Sequence, residues 1–107
     1  MDEVKRFFAE VAANVEGLSR DKDVQALSRI WVREIARHRY AYNFTWMGRP
    51  LIQFPQDMIA MQEIIWATRP DVLIETGVAH GGSLIYYASL LELLGGEDQG
   101  RLINCDE

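Results

Sequence analysis

Residues 71–83 read D-V-L-I-E-T-G-V-A-H-G-G-S, and the fold is decided by how this stretch is read. Val72, Leu73 and Ile74 form an apolar run without alternation, which predicts a short strand covered on both faces and ending at Glu75. Gly77 and the pair Gly81-Gly82 follow. Ser83 is a good helix N-cap residue. The run L-I-Y-Y-A-S-L-L-E-L-L behind it predicts a helix to about residue 94. Strand, glycine loop and helix in this order open a nucleotide-type βαβ unit. Glycine tolerates positive φ and carries no Cβ, so the chain can turn sharply and a ligand can approach the backbone closely. The helix N-terminus offers N–H groups and a positive dipole end to an anionic or polar group. The spacing Gly77-x-Ala79-x-x-Gly82 is a variant of the dinucleotide fingerprint. A tight turn with close helix–strand packing would give the same pattern.

Downstream, Gly95-Gly96 stops the helix, and R-L-I-N-C-D (residues 101–106) predicts a second strand parallel to the first. Asp106 lies 24 positions after Gly82, near the roughly 20-residue offset of an acid that holds a ribose. Upstream, Val4, Phe7, Phe8, Val11 and Val15 predict an amphipathic helix over 3–17, with Gly17 as its stop. Val24, Leu27, Trp31 and Ile35 predict a second over about 21–40, with Asp21 and Asp23 suiting its start. Its other side carries Arg29, Arg33, Arg37 and Arg39. That face reads as solvated and balanced by Glu34, in preference to a phosphate or acidic-partner site. Residues 40–55, Y-A-Y-N-F-T-W-M-G-R-P-L-I-Q-F-P, are aromatic and broken by Gly48, Pro50 and Pro55. They predict an irregular or hairpin-like segment with 51–54 extended. Pro55 suits the first turn of a third helix, 56–68, whose apolar side is Met58, Met61, Ile64 and Ile65.

The 107 residues suffice for one small core. A 49% hydrophobic and 25% charged composition is ordinary for a folded domain. A net charge of −5 argues against a nucleic-acid or anionic-membrane binder. The single cysteine, Cys105, rules out an intrachain disulfide or a zinc cluster of cysteines and reads as a small buried hydrophobe. The acidic start M-D-E-V-K-R does not read as a signal peptide. The longest uncharged run, 76–91, is too short for a membrane span. A cytoplasmic protein is the expectation.

The run Y-N-F-T-W-M-G-R-P-L-I-Q-F-P-Q-D, followed by L-I-E-T-G-V-A-H-G-G-S-L, resembles the cephalosporin hydroxylase and rhamnosyl O-methyltransferase family over about residues 40–106. The resemblance implies an α/β fold in which N-terminal helices precede the first βαβ unit of a Rossmann-like methyltransferase domain dependent on S-adenosylmethionine (SAM). The division expected is 1–54, helical and aromatic-rich, and 55–107, the start of the cofactor domain. The resemblance further implies that Glu75, Gly77, Gly81, Gly82 and Ser83 form the first SAM-binding motif and that Asp106 holds the cofactor ribose. Gln53 and Asp57 fall in the other matching stretch. Family members continue through further strands that carry the divalent-metal carboxylates and most catalytic residues. The chain is accordingly read as a truncated, cofactor-binding part, inactive alone, of an enzyme that methylates a small-molecule or sugar hydroxyl. No metal ligands and no catalytic residues are assigned to it.

Two other readings stay open. Gly77-x-Ala79-x-x-Gly82 also suits an NAD-binding oxidoreductase fragment. The two strands would leave open edges, which suits a non-catalytic domain acting through self-association, and a homo-oligomer is expected on the same ground. An iron oxygenase is disfavoured, because His38-Arg39-Tyr40 and His80-Gly81-Gly82 contain no H-x-D or H-x-E. His80 reads as a loop histidine without a catalytic task, and His38 as a structural residue near a helix C-terminus.

Overall fold

The computed structural model describes residues 2–77 and 79–95, and the backbone of residues 101–105. The chain is mixed helix and strand and divides into two units, Met1–His38 and Arg39–Glu107.

The first unit holds α1 (Glu3–Arg20) and α2 (Lys22–Ala36). The Asp2 carboxylate caps α1 by accepting from the Val4 N–H at 3.0 Å. Gly17 does not stop this helix, which continues for three more residues. A mid-helix glycine costs only about 1 kcal/mol, and a stronger signal lies at Asp21. The Asp21 carboxylate accepts from the N–H groups of Asp23 and Val24, both at 3.1 Å, and so starts α2. Its own N–H donates back to the Gly17 carbonyl at 3.1 Å and closes α1. α2 ends at Ala36, four residues before the expected limit. Arg33 and Arg37 both lie against Glu34, at 3.2 and 3.4 Å, with their side chains well exposed, as a solvated basic face would be.

The second unit begins with a 3-10 turn, Tyr40–Tyr42, and a hairpin of β1 (Phe44–Trp46) and β2 (Arg49–Leu51). The strands are antiparallel, with Phe44 opposite Leu51 and Trp46 opposite Arg49. Met47 and Gly48 both take positive φ, 49° and 82°, the signature of the two-residue turn that matches strand twist. Of the stretch 51–54 only Leu51 is in a strand. α3 (Pro55–Thr68) starts with its proline in the first turn, where the missing N–H costs nothing. Next come β3 (Val72–Thr76), α4 (Gly82–Leu93) and β4 (Arg101–Cys105). β3 and β4 pair in parallel, Val72 with Arg101 through Thr76 with Cys105.

β3 departs from the expectation of a strand covered on both faces. Its residues alternate, with Leu73 and Glu75 half-buried and Val72 and Ile74 exposed. One face only meets the core. That core is Ile65 of α3 with Tyr86 and Tyr87 of α4, packed by Trp46, Met58, Met61, Leu73, Leu90 and Leu94. Ile64, expected on the same side of α3, is instead exposed. Trp46 stands edge-on to Tyr86, ring centroids 4.8 Å apart at 75°. The Tyr86 hydroxyl donates to the Met58 carbonyl and so ties α4 to α3. Each fully buried side chain of this kind contributes about 1.5–3 kcal/mol.

Candidate functional site

α4 approaches the hairpin so closely that only glycine fits at its first residue. A Cβ on Gly82 would run into the Pro50 carbonyl oxygen and would stand 2.7 Å from Pro50 C and 2.9 Å from Leu51 Cα. Arg49 Nη2 donates to the His80 carbonyl at 2.9 Å, a second tie between hairpin and loop. Gly82 is therefore a position where the hairpin leaves no room for a side chain. Gly77 and Gly81 differ from it. They take φ of +78° and +86°, which L side chains adopt only with strain. A Cβ on Gly77 would meet no atom within 4 Å. The chain thus turns at Gly77 and Gly81 and packs at Gly82.

The helix start also differs from expectation. Gly81, not Ser83, is the N-cap of α4. The positive φ at Gly81 brings the chain into the helix before Ser83 is reached. The Ser83 hydroxyl is freed from capping and donates to Glu75 Oε1 at the end of β3. Glu75 Oε2 is buried and has no hydrogen-bond partner among the described residues. A buried carboxylate oxygen left so carries a desolvation penalty of about 1–3 kcal/mol or more.

Glu75 belongs to the wall of a cleft of about 160 Å³. Pro50, Ile52 and Gln53 form its hairpin side, and Glu75, Gly77 and Ala79 face them. Ser83 and Tyr87 close it from α4. Sites for whole small molecules run to about 300–1,000 Å³, so the cleft takes one end of such a ligand. Burial, and after it the negative charge of Glu75, raises the pKa of the Tyr87 phenol above its usual 10.0. Tyr87 therefore stays protonated at neutral pH. It is a donor beside the carboxylate and not a base.

Of the residues singled out from sequence, Glu75, Gly77, Ser83 and Gln53 come together around the cleft. Gly81 and Gly82 shape the loop beside it. Asp57 sits in the first turn of α3 and is not part of the cleft wall. Asp106 lies outside the described residues. The His80 side chain is exposed, and its backbone is what the loop uses. Tyr87 is the residue that sequence reasoning misses. Its spacing of four from Ser83 is the available signal, since residues four apart share a helix face. Among the described residues no group of three or more His, Cys, Asp or Glu side chains could hold a metal ion. No helix among them is long and apolar enough to cross a membrane.

Residues 38–107 match the model of a family described as rhamnosyl O-methyltransferase/CmcI. No curated protein and no solved structure matches the chain.

Proposed function

The chain belongs to the rhamnosyl O-methyltransferase/CmcI family, and on that premise we propose that residues 55–107 begin a Rossmann-like, SAM-dependent methyltransferase domain whose cofactor enters the cleft beside Glu75. The observation that carries this reading is the Glu75 carboxylate in the cleft wall at the carboxyl end of β3, beside Gly77 and Ser83 at the start of α4. Ligands of open α/β sheets bind at the carboxyl ends of the strands. The cleft volume suits the amino-acid end of the cofactor. Glu75 would take the ammonium group of that end. The first N–H groups of α4, unpaired within the helix, suit its carboxylate. Asp106, one residue beyond β4, is the group proposed for the ribose.

When bound, SAM supplies an electrophilic methyl group on a sulfonium. The residues described act before that step. Ser83 orients the Glu75 carboxylate, Tyr87 keeps a neutral phenol beside it, and Gly77 leaves the backbone open to the ligand. The acceptor proposed is a hydroxyl of a sugar or another small molecule, and a divalent metal is left to parts of the family fold beyond these residues. Cofactor choice is tested by calorimetry with S-adenosylhomocysteine and NADH. The former is expected to bind more tightly, and Gly77→Val to abolish that binding, because a β-branched residue at φ +78° distorts the turn. Preference for NADH would overturn the assignment.

A further inference from the structure

The loop between β3 and α4 carries positive φ at Gly77 (78°), Ala79 (51°) and Gly81 (86°). Ala79 has a Cβ, so its left-handed backbone is sparsely populated and persists where its neighbours over-determine it. Gly77 and Ala79 both stand in the wall of the cleft. The shape of the cleft therefore depends on what fixes this loop. Arg49 reaches it from the hairpin. Its Nη2 donates to the His80 carbonyl at 2.9 Å, across 31 positions of sequence. The same nitrogen lies 3.7 Å from where a Cβ on Gly81 would stand. The guanidinium thus holds the carbonyl that lies between two left-handed residues, Ala79 and Gly81. The base of Arg49 is itself fixed. It is paired with Trp46, whose ring stands edge-on to Tyr86 of α4. It precedes Pro50, whose carbonyl lies against Gly82. Pro50, Ile52 and Gln53 then form the facing wall. One short segment, 49–53, supplies one wall of the cleft and a brace for the other.

We propose that Arg49 is a positioning residue of the cleft. By holding the His80 carbonyl it keeps Gly77 and Ala79 set against Pro50, Ile52 and Gln53 before a ligand arrives. It acts through the loop backbone and is assigned no contact with the ligand. The residue type suits the task. A guanidinium presents its N–H donors in a fixed planar fork, and a charged donor makes a stronger hydrogen bond than a neutral one. A loop ordered in advance lowers the entropy lost on binding. The effect of Arg49 on the cofactor rests on the SAM reading above, whereas its hold on the loop does not.

The test compares the full chain with Arg49→Met, which keeps a long side chain and loses the donors, and with Arg49→Lys, which keeps a charged donor. The ligand-free proteins are read by amide NMR, and the affinity for S-adenosylhomocysteine by calorimetry. In Arg49→Met the signals of Gly77, Ala79 and Gly81 should shift or broaden while those of α3 stay in place. Its Kd should rise about tenfold or more, as expected for the loss of one charged hydrogen bond. Arg49→Lys should keep most of the parent behaviour. An arginine that only stabilises the fold would lower the melting point and leave the loop signals no more changed than those of α3. That result overturns the proposal, and so does an Arg49→Met protein that binds as tightly as the parent. If the parent chain binds no S-adenosylhomocysteine, the cofactor reading fails and the loop signals alone decide: a change confined to the loop supports the brace, and its absence overturns it. Arg49→Gln, with a shorter neutral donor, gives the same comparison if the methionine variant does not fold.

Discussion

Replacing Gly82 with alanine puts a methyl group where the backbone of β2 already lies. The new carbon would stand 2.7 Å from Pro50 C and 2.9 Å from Leu51 Cα, and closer still to the Pro50 oxygen. All three are main-chain atoms, so no side chain can swing away. The hairpin would have to retreat by about 1 Å to restore ordinary contact. Leu51 is 1% exposed, so the retreat opens a packed site. Overpacking of this kind costs about 1–3 kcal/mol, and a rigid neighbour places it at the upper end. Alanine returns up to about 1 kcal/mol through its higher helix propensity. The net expectation is a loss of about 1–2 kcal/mol, or a melting point lower by about 5–15 °C for a unit of this size. Thermal unfolding followed by circular dichroism measures it. The cleft should suffer in parallel, since Pro50, Ile52 and Gln53 move with the hairpin. A Gly82→Ala protein that melts at or above the parent temperature would refute the close-approach argument and return Gly82 to a purely ligand-facing role.

Other expectations are more local. Ser83→Ala leaves the Glu75 carboxylate without its hydroxyl donor and should lower stability by about 1–3 kcal/mol; an unchanged urea midpoint would show that solvent replaces the bond freely. Burial raises the pKa of Tyr86 and Tyr87 above 10.0, so the folded chain keeps protons that the unfolded chain releases. Their contribution is whole below about pH 10 and is lost as the pH climbs further. Urea midpoints should fall above pH 10, and the Tyr86→Phe, Tyr87→Phe double variant should flatten that fall; an equal slope in both proteins would contradict it. Asp21→Ala removes the acceptor for two α2 N–H groups and should cost about 1 kcal/mol, seen as lost helical ellipticity, whereas Asp21→Asn should keep most of it.

Periodicity makes the helices legible in the sequence, because 3.6-residue spacing depends only on which side chains are apolar. The hairpin is legible in part from breakers, since Gly48 and the two prolines admit an irregular segment as well as a hairpin. The misreadings share a cause. Gly17 reads as a stop and Ser83 as a cap when each residue type is judged by its own preference. In both places a neighbour decides, Asp21 in one and Gly81 in the other. The apolar run 72–74 reveals the strand but not its faces, because a continuous run does not say how many layers lie against it. At the site, Glu75, Gly77 and Ser83 are visible as a motif. Tyr87 is not, because in the sequence it is one aromatic within a helical core. The packing demand on Gly82 is not visible, since its neighbour across the gap, Pro50, is 32 positions away in sequence.

Asp21 is at once the C-cap of α1 and the N-cap of α2. One residue between two helices is also an angular ruler. Each residue added to an α-helix turns its side chains by about 100°. One amino acid inserted at this joint would swing the apolar side of α2 through a quarter turn or more relative to the stripe on α1, with no change to either helix itself. One deleted would swing it back as far. The joint can therefore accept a change of letter, to Ser or Asn, far more readily than a change of count, and the spacing between the two apolar patterns is itself part of what the sequence encodes.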